Sequence, residues 1–129
     1  DHNRVFLREE MKKHNTSLMQ TASQAGVESF AIFQNAGYKG LYGGRTMQDI
    51  HTKKRLNKSQ KILDHMNSEE LAANLFRATQ TDAKIKRENV KGQGNANFAH
   101  YVVGQKVRNT IANLGLAEPC RKNCLLPTQ

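Results

Sequence analysis

Apolar residues along this chain recur at helical rather than strand spacing. Leu7, Met11, Leu18, Ala22 and Ala25 follow one another at intervals of three, four or seven, which puts them on one face of an amphipathic helix over Asn3 to Ala25, closed by Gly26. The densest apolar cluster, Phe30, Ile32 and Phe33 in "ESFAIFQNA", predicts a short second helix that Gly37 ends and that belongs to the core. Thr46 can cap a third helix running through Gln48 to Leu56, and Ser59 can start a fourth carrying Ile62, Leu63 and Met66. Asn67, with Glu70 three residues on, has the form of a cap for a long helix that fades near Asn89. Its stripe is Leu71, Leu75, Ala78 and Ile85, widened by Ala72 and Phe76. "KGQGNAN" is polar, holds two glycines and reads as a loop. A last helix from Ala99 shows Val103, Val107, Ile111 and Leu114 on one face and closes at Gly115.

No segment alternates with β-branched residues, so the expected class is all-α, a compact bundle of about five or six helices, two of them long. The chain of 129 residues has the length of one ordinary domain. Residues 1–114 are expected to form it, with 115–129 an irregular tail that contains both prolines and both cysteines. Because the first residues already lie inside a helical pattern, without an initiating Met, an upstream portion of a longer protein is expected. Apolar residues make up 37% and the mean hydropathy is −0.72, which calls for a core of thin stripes. Nothing approaches the roughly 20 apolar residues of a spanning helix, and the N-terminus lacks a signal-peptide pattern, so a cytoplasmic protein is the default.

A net charge of +9 and a pI near 9.8 favour polyanionic partners, since each Lys or Arg laid on a phosphate releases condensed counterions. The chemistry of sites narrows this further. A phosphate-binding loop of the G-x-x-x-x-G-K-[ST] type fails at Gly44, because Arg45 replaces the lysine and Lys39 stands where the first glycine belongs. Cys120 and Cys124 have the spacing of half a zinc site and lack two further ligands nearby. Asp49 with His51, and Asp64 with His65, are one or two residues apart on helices and point to different faces, so neither makes a carboxylate–imidazole pair. No enzyme, metal or cofactor is implied.

What remains is the glycine-rich and basic stretch "NAGYKGLYGGRTMQDIHTKKRLNKSQK", from Asn35 to Lys61. Lys39, Arg45, Lys53, Lys54, Arg55, Lys58 and Lys61 are the candidate contacts to nucleic acid or a partner, and Tyr38 and Tyr42 could stack on exposed bases. The competing reading packs both tyrosines against Phe30 and Phe33 and leaves the lysines as a solubilising face. A helix-turn-helix, with Ser59 to Met66 as recognition helix, is a further alternative. A second cationic group, Lys84, Lys86, Arg87 and Lys91, lies where it would also complement the dipole of the long helix.

The words "FAIFQNAGYKGLYGG", "KSQKILDHM", "SEELAANLFRATQT", "NVKG" and "VGQKVRNTI" occur here in consistent order between Phe6 and Leu114. Over that span the chain resembles the C-terminal portion of the DNA-damage-inducible protein D family of bacteria. The resemblance implies a non-enzymatic protein of the DNA-damage (SOS) response that restrains the RecA recombinase on single-stranded DNA. It also implies a missing N-terminal domain, similar to those of phage BRO-type proteins and antirepressors. The tail "EPCRKNCLLPTQ" departs from the family pattern. Two other readings stand beside this one: a sequence-independent DNA-binding or antirepressor-like module, and a helical dimerisation module forming a homodimer.

Overall fold

The computed structural model describes residues 2–114, so Cys120, Cys124 and the rest of the expected tail lie outside the described residues. Five α-helices and one 3-10 turn follow in order: α1 (His2–Gln24), α2 (Phe30–Leu41), α3 (Met47–Lys53), the 3-10 turn Ile62–His65, α4 (Ser68–Arg87) and α5 (Gln93–Asn113). There is no strand among the described residues, and the all-α class holds. None of these helices is long and apolar enough to cross a membrane.

Side chains cap the starts of three of the helices. Ser29 accepts from the amide of Ile32, Asn67 from that of Glu70, and Thr46 forms a reciprocal capping box with Asp49. The ends of α1, α2, α3 and α4 share one geometry, in which the third residue past the helix donates back to the fifth residue before it: Val27 to Ala22, Gly44 to Lys39, Leu56 to His51 and Val90 to Ile85.

Three elements differ from the sequence-based expectation. α2 does not stop at Gly37 but continues to Leu41, and Gly37 and Gly40 serve packing instead of termination. A Cβ on Gly40 would lie 2.2 Å from the Tyr101 carbonyl oxygen, and one on Gly104 would lie 2.6 Å from that of Gly37. α2 and α5 therefore cross backbone to backbone. The expected helix from Ser59 shrinks to the 3-10 turn, with Ile62 and Met66 buried, so a recognition helix over Ser59 to Met66 is absent. α5 starts at Gln93, inside the supposed loop, because the Gln93 side chain has a structural task. Its Oε1 accepts from the Glu28 and Ser29 amides at 2.8 and 2.9 Å, while Gly92 N donates to Ala25 O, stitching the α1–α2 turn to the α4–α5 turn.

The two extensive interfaces are α1 with α4 and α2 with α5, and α4 and α5 join the pairs. Two apolar clusters result. One gathers Leu41, Ile50, Ile62, Met66, Leu71, Val103 and Val107, and the other Met11, Leu18, Ala22, Phe33, Ala78, Ile85 and Ala99. On α2, α4 and α5 alike, the junction between the clusters falls at Gly37, at Asn74 to Arg77 and at His100, so a polar layer separates them.

Candidate nucleic-acid and partner interface

Of the nine candidate residues, the structure brings three into one site. Arg45, Lys53 and Arg55 line an open cleft of about 510 Å³ beside α3, together with Asp49 and Thr52. The Asp49 carboxylate is occupied as a capping group, accepting from Thr46 N at 2.9 Å, and this backbone bond holds its pKa below the ordinary carboxylate value. One guanidinium nitrogen of Arg45, Nη1, is buried without a protein partner. Lys53 and Arg55 are exposed, and the cations in the cleft outnumber the single acid. The arrangement can take an anionic group between three cationic side chains. Lys39, Lys58 and Lys61 are exposed but do not line this cleft.

Tyr38, Tyr42 and Lys54 are turned into the protein. Tyr42 is fully buried and Tyr38 is 7% exposed, with their rings in an edge-to-face pair 6.1 Å apart, so neither offers a face to a base. They do not close on Phe30 and Phe33 either, since the Phe33 ring packs against Phe30 and His100. Lys54, whose side chain is 9% exposed, turns inward and donates to Glu70 Oε1 and to the His65 carbonyl, both at 3.0 Å. Replacing it would leave a buried carboxylate without its counter-cation, a cost of about 3 kcal/mol.

Sequence reasoning missed what these residues join. Lys54 holds Glu70, Tyr42 O–H donates to Glu70, and Asn74 Nδ2 donates to the Tyr42 oxygen at 3.1 Å. Arg77 Nε donates to Asn74 Oδ1 at 3.2 Å, and its Nη1 lies 2.7 Å from His100 Nε2. His100 Nδ1 meets the Phe33 carbonyl at 2.8 Å. The arginine can only donate, so Nε2 is the acceptor and Nδ1 carries the proton: this geometry requires a neutral imidazole. Burial and the neighbouring guanidinium accordingly push the His100 pKa well below its ordinary value. The Arg77 guanidinium also lies 4.8 Å from the centre of the Tyr38 ring, a cation–π contact. Burial raises the Tyr42 pKa, and burial raises that of Glu70 against the opposing pull of Tyr42 and Lys54. The signal was present in spacing: Glu70, Asn74, Arg77 and Thr81 step by four, three and four along the apolar side of α4, and His100 sits between Ala96 and Val103 in the same way.

The Asp49–His51 pair does not form. His51 Nε2 pairs with the Gln60 carbonyl at 2.9 Å rather than with Asp49. Among the described residues no group of His, Cys, Asp and Glu is placed to hold a metal ion.

Fold and surface thus define a small basic helical-bundle domain with a cationic cleft and an internal polar layer. Residues 1–125 match the model of the DinD C-terminal domain, and the chain belongs to that family. It is 57% identical over 122 residues to the DNA damage-inducible protein D of Escherichia coli (strain K12), covering 92% of this chain and 44% of that protein. The chain therefore spans less than half the length of this relative.

Proposed function

We propose that this domain is a non-enzymatic module of the bacterial DNA-damage (SOS) response that modulates RecA filaments on single-stranded DNA, acting within a longer protein. Family membership carries the proposal, since the related full-length protein is a DNA damage-inducible one. The cleft of Arg45, Lys53 and Arg55 supports it by supplying a cationic contact for the backbone of filament-bound DNA or an acidic protein face. A cytoplasmic location follows from that role.

The test is binding of the chain to a labelled single-stranded oligonucleotide, bare and RecA-coated, at low and physiological salt. The expected outcome is preference for the coated strand, with loss of the effect in a Lys53→Glu/Arg55→Glu variant that keeps its helical content. Lys54 is left unaltered because its partner is the buried Glu70. Equal or better binding to bare DNA would instead assign an electrostatic DNA binder. With three phosphates neutralised, its log K would then fall against log salt with a slope of about −2.

A further inference from the structure

A second surface begins beside the cleft, at Thr46, and is built differently. Three hollows of about 370, 470 and 200 Å³ run into one another across α2, α5 and α4. The first two share Phe98 and the last two share Lys84 and Val102, so they form one continuous band. Its large apolar side chains stand in the open: Ile32 is 58% exposed, Phe98 68% and Phe76 50%. The sequence pattern assigned Ile32 and Phe76 to the core, and the structure places both on this face. Lys39, Lys84, Arg87, Lys91 and Lys106 line the band, and Glu88 is the single acid among its lining residues. Glu88 is already engaged by Lys84 at 3.0 Å.

We infer that this band is a docking surface for an acidic, amphipathic peptide segment of a partner protein. Apolar anchors are needed because two phenylalanines and an isoleucine exposed together fit a partner that removes them from water. Carboxylates are needed because five cations surround those anchors with one neutralised acid between them. Ile32 and Val102 are aliphatic and offer no face for base stacking, which favours a peptide over a single nucleic-acid strand. The inference does not rest on the RecA reading, because it uses neither the cleft nor Lys53 and Arg55.

Panning a random dodecapeptide phage library over the 129-residue chain, with a Phe98→Ser/Lys106→Glu variant as counter-selection, tests it. Both positions are exposed, and circular dichroism checks that the variant keeps its helices. Selected peptides are expected to combine an excess of Asp and Glu with two or more large apolar residues. A synthetic copy should bind the double variant at least tenfold more weakly, and the Lys53→Glu/Arg55→Glu variant as well as the parent chain. Peptides without acidic excess, or indifferent to the double variant, would overturn the inference. Displacement by an oligo-dT strand would reassign the band to nucleic acid, and a doubled mass abolished by Phe98→Ser would reassign it to a second copy.

Discussion

At the end of α3 the backbone turns left-handed at Arg55, with φ at 59°, where α1 and α2 use Gly26 and Gly43 and α4 uses Asn89. A Cβ-bearing, non-Asn residue is disfavoured in that conformation. Arg55 is also one of the cations lining the cleft, so the local strain coincides with the proposed contact surface. Arg55→Gly is expected to leave stability unchanged or raise it by up to about 1 kcal/mol in urea unfolding, while weakening binding to the coated strand. At His100 the sign of the pH response follows from its neutral state. The folded pKa lies well below the ordinary 6.5, so on acidification the unfolded chain takes up the proton first. This contribution to stability is complete above about pH 6.5 and is lost as pH falls through that value toward the lowered folded pKa. The raised pKa of Glu70 acts in the opposite sense at more acidic pH, so the comparison is between two chains. Between pH 7 and 5.5 the parent should lose up to about 1.4 kcal/mol per pH unit more than His100→Gln, read from urea midpoints.

Glycine has two distinct uses among the helices. Gly104 sits where α5 meets α2 with no room for a side chain, whereas Gly94 near the start of α5 has open space around its Cβ position. Gly104→Ala should destabilise by about 1–3 kcal/mol through overpacking. Gly94→Ala should stabilise by about 0.5–1 kcal/mol, and thermal melts of the pair separate the two roles. The same contrast shows what a sequence can and cannot disclose. α1, α3 and α4 were legible because capping residues and periodic stripes are local signals. α2 and α5 were cut short because glycines and polar residues read as breaks, when they meet partners more than 60 residues away in the chain. The candidate cleft was legible only in part for a related reason. Charge identifies Arg45, Lys53 and Arg55, but the inward turn of Lys54 depends on Glu70, which lies on another helix.

For the molecule as a whole, the pairing order matters more than any single contact. α1 packs on α4 and α2 packs on α5, so the pairs interleave along the chain instead of forming successive hairpins. Cutting the chain in the exposed turn around Lys58 is expected to give two pieces that are largely unfolded alone by circular dichroism. Mixed in equal amounts they should recover most of the helical signal, and a first piece already helical on its own would contradict the pairing. Its consequence reaches back to synthesis. The chain is made from the N-terminus, so α1 and α2 leave the ribosome together with neither of their partners. α1 waits for α4, and α2 waits until Asn113 has emerged, which makes completion of the bundle nearly the last event in making this part of the protein.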